Sequence, residues 1–288
     1  MTRFSLRLAA LPLLALAACG AGDGAPTGSD PPGEYATQLE VPSPDYAALI
    51  ANAPAIEQAE AFREPTASPP ANARQLGALW LARLEERGAL MGHGLAGKEP
   101  DAPVQSIDTL LTAEEFDAWV AENGWTVPPH LHWYFQQPLI APRVSETAQG
   151  GIRTWPASEA RTGWQLEAAF VGRIYLRDGC FFMRSDVVDA PDKLAWFHAE
   201  TGLDVDAEGY YTLVNRVNSQ PVARLGEVMT WAGPNRLDQD APQIIALRQV
   251  CGDYTVEGVG NPEANERMFV TYPHLRQPPD AIPPPGIE

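Results

Sequence analysis

The residues between 163 and 260 constrain this chain most, because short β-compatible runs follow one another there with a glycine turn between many of them. The run 165–177 ends at Asp178-Gly179, a pair suited to a two-residue hairpin turn in which both central residues take positive φ. The residues 180–184 (Cys-Phe-Phe-Met-Arg) return from that turn, and further runs occupy 210–215, 221–224, 227–231 and 254–259. About six short strands at this spacing predict a small barrel or sandwich. One helix is expected to interrupt them over 191–200, with Asp189 as its cap, Pro191 in its first turn and Gly202 ending it.

Upstream the period changes. Leu76, Leu79, Trp80, Leu84 and Arg87 recur at helical spacing between Asn72, a candidate N-cap, and Gly88, a candidate stop, which predicts a helix over 73–87. Thr112-Ala-Glu-Glu115 reads as a capping box. The threonine hydroxyl can accept from the amide three residues on while Glu115 reaches back to the cap. Phe116, Trp119 and Val120 then form one apolar face, and Gly124 supplies the left-handed stop. Residues 131–135 read as a strand, followed by a proline-rich connection to about Ser158. The expected class is therefore α+β, a small helical N-terminal part followed by a β-rich barrel- or sandwich-like C-terminal domain.

The first residues carry targeting information rather than fold. Arg3 and Arg7 precede an apolar run over 8–16 that is too short to cross a bilayer as a helix. The run closes with Leu16-Ala17-Ala18-Cys19, which resembles the lipobox of bacterial lipoproteins: an aliphatic residue, two small residues and a cysteine. The resemblance implies that residues 1–18 are a signal peptide, that Cys19 carries the acyl chains, and that the protein is held by lipid on a membrane. Several acyl chains anchor far better than one, at about 0.8 kcal/mol per buried CH₂. In such lipoproteins an aspartate after the cysteine favours the inner membrane. Gly20 stands there instead, which implies the outer membrane, periplasmic side.

Residues 20–32 (GAGDGAPTGSDPP) have the composition of a flexible spacer, and prolines 54, 65, 69 and 70 break up the segment after it. The expected organisation is 1–18 signal peptide, 19–70 lipidated Cys19 and a flexible or partly ordered linker, 71–160 helix-containing part, 161–276 β-rich domain, and 277–288 proline-rich tail. With Cys19 assigned to lipid, Cys180 and Cys251 remain, and an oxidising compartment makes a disulfide between them the expectation. Neither sits in a C-x-x-C unit, which argues against a redox or metal-binding pair. Three segments, 172–180, 222–228 and 251–256, also resemble a small secreted β domain of uncharacterised bacterial envelope proteins. That resemblance implies no catalytic residues.

Charge narrows the partners. The chain has 20 Lys+Arg against 37 Asp+Glu, a net charge of −17. Loss of residues 1–18 takes away Arg3 and Arg7 and no acid, leaving −19. Nucleic acid is excluded as a partner on this ground, since its binding requires a basic surface that releases counterions. The expected partners are the membrane through the lipid anchor and an envelope protein or glycan.

The candidate chemistry is sparse. His130 and His132, two apart on an expected strand, would project to one face, the arrangement in which two imidazoles share a metal or an acid-base task. A third ligand would have to come from His93, His198, His274 or a carboxylate, and no zinc-ligand spacing is present. Asp204, Asp206, Glu208 and Gly209 open like a calcium loop, but Asn215 stands where the bidentate glutamate belongs, so an acidic hairpin turn is the expectation. Trp125, Trp133, Trp155 and Trp231, near loops or strand ends, are candidate stacking platforms for a glycan. No metal site and no cofactor are expected. The reading is a non-catalytic binding or structural lipoprotein. The alternative is an envelope hydrolase or metal-dependent enzyme using His130 and His132, which a deep pocket holding both histidines and a carboxylate would favour.

Overall fold

A computed structural model of the chain describes residues 35–96, 104–162, 169–185, 190–233 and 237–276. The signal peptide, Cys19 and the tail 277–288 lie outside the described residues. Up to residue 160 the elements are α1 (Tyr46–Ala51), β1 (Phe62–Arg63), α2 (Ala73–Arg87), β2 (Leu90–Ala96), β3 (Val104–Thr109), α3 (Ala113–Glu122), β4 (His132–Tyr134) and α4 (Glu146–Gln149). Beyond it come β5 (Ala169–Arg177), β6 (Cys180–Ser185), β7 (Lys193–Phe197), β8 (Thr201–Val205), β9 (Tyr211–Asn215), β10 (Gln220–Arg224), β11 (Val228–Ala232), α5 (Pro242–Cys251), β12 (Val256–Ala264) and α6 (Asn265–Thr271). The class is α+β and β-rich, with the described residues in one compact unit.

The N-terminal part is more than helical. Strands β1-β4-β3-β2 form a sheet in which β3 and β4 run parallel and the other neighbours antiparallel. Helix α2 starts after Asn72 and ends at Gly88, whose φ of 68° is the left-handed conformation glycine takes without a Cβ clash. Helix α3 carries the capping box: Thr112 Oγ1 accepts from Glu115 N at 3.1 Å, and Glu115 Oε2 accepts from Thr112 N at 2.8 Å. Both helices meet the sheet in one aromatic core, where Trp80 packs against Phe116, Trp119, Trp125 and Trp133.

In the C-terminal part five strands pair around a closed cycle, β11-β12-β7-β6-β5, and β8-β9-β10 form a separate antiparallel sheet. The Asp178-Gly179 turn joins β5 to β6 with φ of 48° and 73°, the positive values that hairpin turn requires. Cys180 and Cys251 are bridged, tying the start of β6 to the end of α5 across 71 residues. The helix expected over 191–200 is not present. Those residues instead contain β7, which pairs parallel with β12, and the turn that leads into β8. Leu194, Ala195, Trp196 and Phe197 are buried on both faces of β7, so the run carries no alternation to separate a strand from a helix.

Residues 35–70, expected to be at most a partly ordered linker, are built into the body. Gln38 pairs with Leu176 as an antiparallel bridge, and its side chain bonds the backbone of Tyr211 and Leu225. Gly226 (φ 90°) makes room for this segment, since a Cβ there would lie 2.8 Å from the Leu39 carbonyl oxygen. Tyr46, at the start of α1, is buried in the main C-terminal core.

Candidate functional site

Helix α2 packs its Trp80–Leu84 stripe into the aromatic core, and its neighbouring face, with Ala73, Arg74, Ala78 and Leu81, overhangs the β2–β3 pair. Between them lies an open groove of about 520 Å³. Ala78, Leu81 and Leu95 give it apolar walls; Arg74, His93, Gln105 and His130 are its polar lining. Leu95 and Gln105 are partners across β2 and β3, so they sit side by side on one face of the sheet. Gln105 presses against the helix at Gly77, where a Cβ would fall 1.8 Å from Gln105 Oε1.

His130 is 3% exposed, and its Nε2 has no hydrogen-bond partner. A buried nitrogen left unpaired costs about 1–3 kcal/mol, so it is an unmet demand at the groove wall. His132 does not join it. His130 sits in the turn before β4, whereas His132 stacks on Tyr134 at 4.5 Å between ring centres, with Nε2 3.9 Å from Glu64 Oε1. The shared face expected for the two histidines required a strand covering both, and β4 begins only at His132. Among the described residues no group of three or more His, Cys, Asp or Glu side chains is placed to hold a metal. Among the described residues the groove thus contains one of the two histidines and no carboxylate.

The acidic turn at 204–209 is the β8–β9 hairpin connection, and its carboxylates are engaged by protein. Arg224, 2% exposed, donates from Nε to Asp206 at 2.7 Å and from Nη2 to Glu208 at 2.8 Å. Asp206 also accepts from the amides of Glu208 and Tyr210, each at 3.0 Å. Beside them Glu227 accepts from the Tyr46 hydroxyl and the Arg224 amide, both at 2.5 Å. Burial first, and the Glu227 carboxylate second, hold the Tyr46 hydroxyl protonated far above the ordinary phenol range.

No protein-family model, curated protein or solved structure matches the chain. Its chemistry is therefore argued from its own residues.

The four tryptophans considered as stacking platforms are occupied. Trp133 and Trp231 are buried, Trp155 stacks on Phe197 with ring centres 4.7 Å apart, and Arg83 lies 3.8 Å over Trp125. His198 is enclosed, with both ring nitrogens unpartnered, and burial pushes its imidazole below the ordinary histidine range. The sequence reading missed Arg74 and Gln105 as site residues and named His93 only as a spare ligand. The one local signal was Met-Gly-His-Gly-Leu at 91–95, a histidine between glycines on a strand, which leaves the imidazole unshielded.

Proposed function

We propose that this chain is a lipid-anchored, periplasm-facing envelope lipoprotein, tethered to the outer membrane through Cys19, whose body is a non-catalytic binding module. The anchor is supported by the Leu16-Ala17-Ala18-Cys19 sequence. In the described residues no helix is long and apolar enough to cross a membrane. The binding role is carried by one observation, the groove between α2 and the β2–β3 pair. Its walls are apolar, it holds a few polar groups, and its size is that of a small-molecule site. Among the described residues no carboxylate, serine or cysteine lines it, and those that do offer surfaces and hydrogen bonds rather than a nucleophile with its base. We read the closed cycle of five strands as a small barrel that serves as the rigid support of the body.

Metabolic labelling with an alkynyl fatty acid in a Gram-negative host tests the anchor. The full chain is expected to take up label and to fractionate with the outer membrane, and Cys19→Ser to do neither. Label retained by Cys19→Ser would refute the assignment.

A further inference from the structure

We infer that the groove between α2 and the β2–β3 pair receives an organic anion with an apolar tail, its head at Arg74 and its tail along Leu81 and Leu95. This rests on the reading of the groove as a binding site and adds the class of ligand.

The first support is a local reversal of charge. The chain carries 37 acids against 20 basic residues, yet among the described residues no acid lines this groove. Three other cavities each contain at least one: Asp206 and Glu208 beside α1, Glu200 and Glu263 between β8 and β12, and Asp178 beside the disulfide. Of these four cavities it is the one whose described lining, one arginine and two imidazoles without an acid, repels an anion least.

The second support is the state of Arg74. Most arginines of the described residues are engaged, as Arg63 is with Glu60 and Asp117, Arg224 with Asp206 and Glu208, and Arg83 with Trp80 and Trp125. Arg74 makes no hydrogen bond, ion pair or ring contact among the described residues, and lines the groove from the first turn of α2. The Asn72 side chain makes no capping bond there, so the positive end of a 15-residue helix adds to the same field. The third support is independent of charge: His130, more than nine-tenths buried, lines the groove and has an unpartnered Nε2, a polar group left unsatisfied beside the place where a ligand head would sit.

The apolar wall fixes the rest of the ligand. Leu95 is 75% exposed, and with Leu81 and Ala78 it forms a surface that water covers poorly. Burying a short alkyl chain there is favourable in proportion to the apolar area taken from water. An inorganic anion would leave that wall bare, and a neutral alkane would leave Arg74 unpaired.

The test is calorimetric titration of the full-length chain carrying Cys19→Ser, with the Cys180–Cys251 bridge intact, using octanoate, 1-octanol and octylammonium as probes. Octanoate is expected to bind at one site about tenfold more tightly than the other two, as a charge-assisted head contact implies. Arg74→Gln is expected to remove that preference, and Ala78→Trp, which fills the groove from an exposed helix position, to abolish binding of all three. Equal affinities for octanoate and octanol, unchanged by Arg74→Gln, would overturn the anion assignment while leaving a binding groove. A preference for octylammonium would overturn it likewise. No binding of any probe, or binding indifferent to Ala78→Trp, would overturn both the ligand class and the groove as a binding site.

Discussion

Two arginines on this molecule have opposite fates. Arg224 is buried at the base of the β8–β9 hairpin, with Asp206 and Glu208 on its guanidinium, the Pro42 carbonyl on Nη1 and the Tyr210 ring 4.4 Å from Cζ. Arg74 stands exposed at the start of α2 with none of these. The first is an internal tie whose charge is spent inside the fold, and its deletion would strand two carboxylates. The second contributes nothing to the fold through its charge. In a chain with nearly twice as many acids as bases, an arginine with no hydrogen bond, ion pair or ring contact among the described residues is free to meet an outside anion.

The largest expected effect separates the two regions by their staples. The C-terminal part is tied by the Cys180–Cys251 bridge, whereas the sheet that carries the groove has no cysteine in its strands and packs on an aromatic and aliphatic core. Replacing both cysteines by alanine is expected to cost about 4 kcal/mol by the loop-entropy argument for 71 residues, read from urea unfolding followed by circular dichroism. Octanoate affinity at the groove is expected to stay within about twofold of the parent under native conditions. A variant that kept its stability, or lost the groove with the bridge, would break the division.

Next in size is Arg224→Met. It leaves Asp206 and Glu208 facing each other around an apolar side chain, and breaking a buried pair from one side costs about 3 kcal/mol or more. Because Glu208 is largely exposed, the loss belongs at the low end of that range. A midpoint shift no larger than that of a surface substitution would show that Arg224 is not the tie its geometry describes.

Much of this was legible in the sequence where the determinants are local. The capping box at Thr112 and the Asp178-Gly179 turn lie within a few residues of the structure they set, and both formed as read. β7 was misread as a helix because its burial on both faces erased the period-two pattern, leaving Pro191 and Gly202 to suggest helix ends. The groove was hidden for a different reason. Arg74, His93 and His130 come from a helix, a strand and a turn far apart in the chain, and they meet only because α2 packs across the β2–β3 pair. The spacing of His130 and His132 suggested a shared face, but spacing informs only within one continuous strand.

A smaller effect tests the C-terminal region through pH. Tyr175 is buried and donates to Asp192, and burial first, then that carboxylate, pushes its hydroxyl from 10.0 up to about 12. Below pH 10 the phenol is protonated in both folded and unfolded chains, so it adds no pH dependence. Between pH 10 and about 12 the unfolded chain ionises first, unfolding releases a proton, and stability falls as pH rises. Tyr175→Phe is expected to flatten that part of the curve, measured by urea midpoints across the range. A slope unchanged by the substitution would assign the alkaline loss to other groups, with the still more strongly raised Tyr46 as the first to examine.

The smallest expected effect on stability is the most telling one for the comparison. Arg74→Gln keeps a long polar side chain at an exposed position of α2, removes a charge with no ion-pair partner, and substitutes one good helix former for another. The unfolding midpoint is therefore expected to change by no more than the equivalent of about 0.5 kcal/mol, as for a surface substitution outside any network. The same measurement on Arg224→Met should move several times further. If Arg74→Gln instead destabilised the chain strongly, the guanidinium would be holding structure, and its availability to an outside anion would be lost as an argument. If it were neutral in stability while octanoate lost its preference over octanol, the two arginines would divide as their surroundings say: one charge for the fold and one for the ligand.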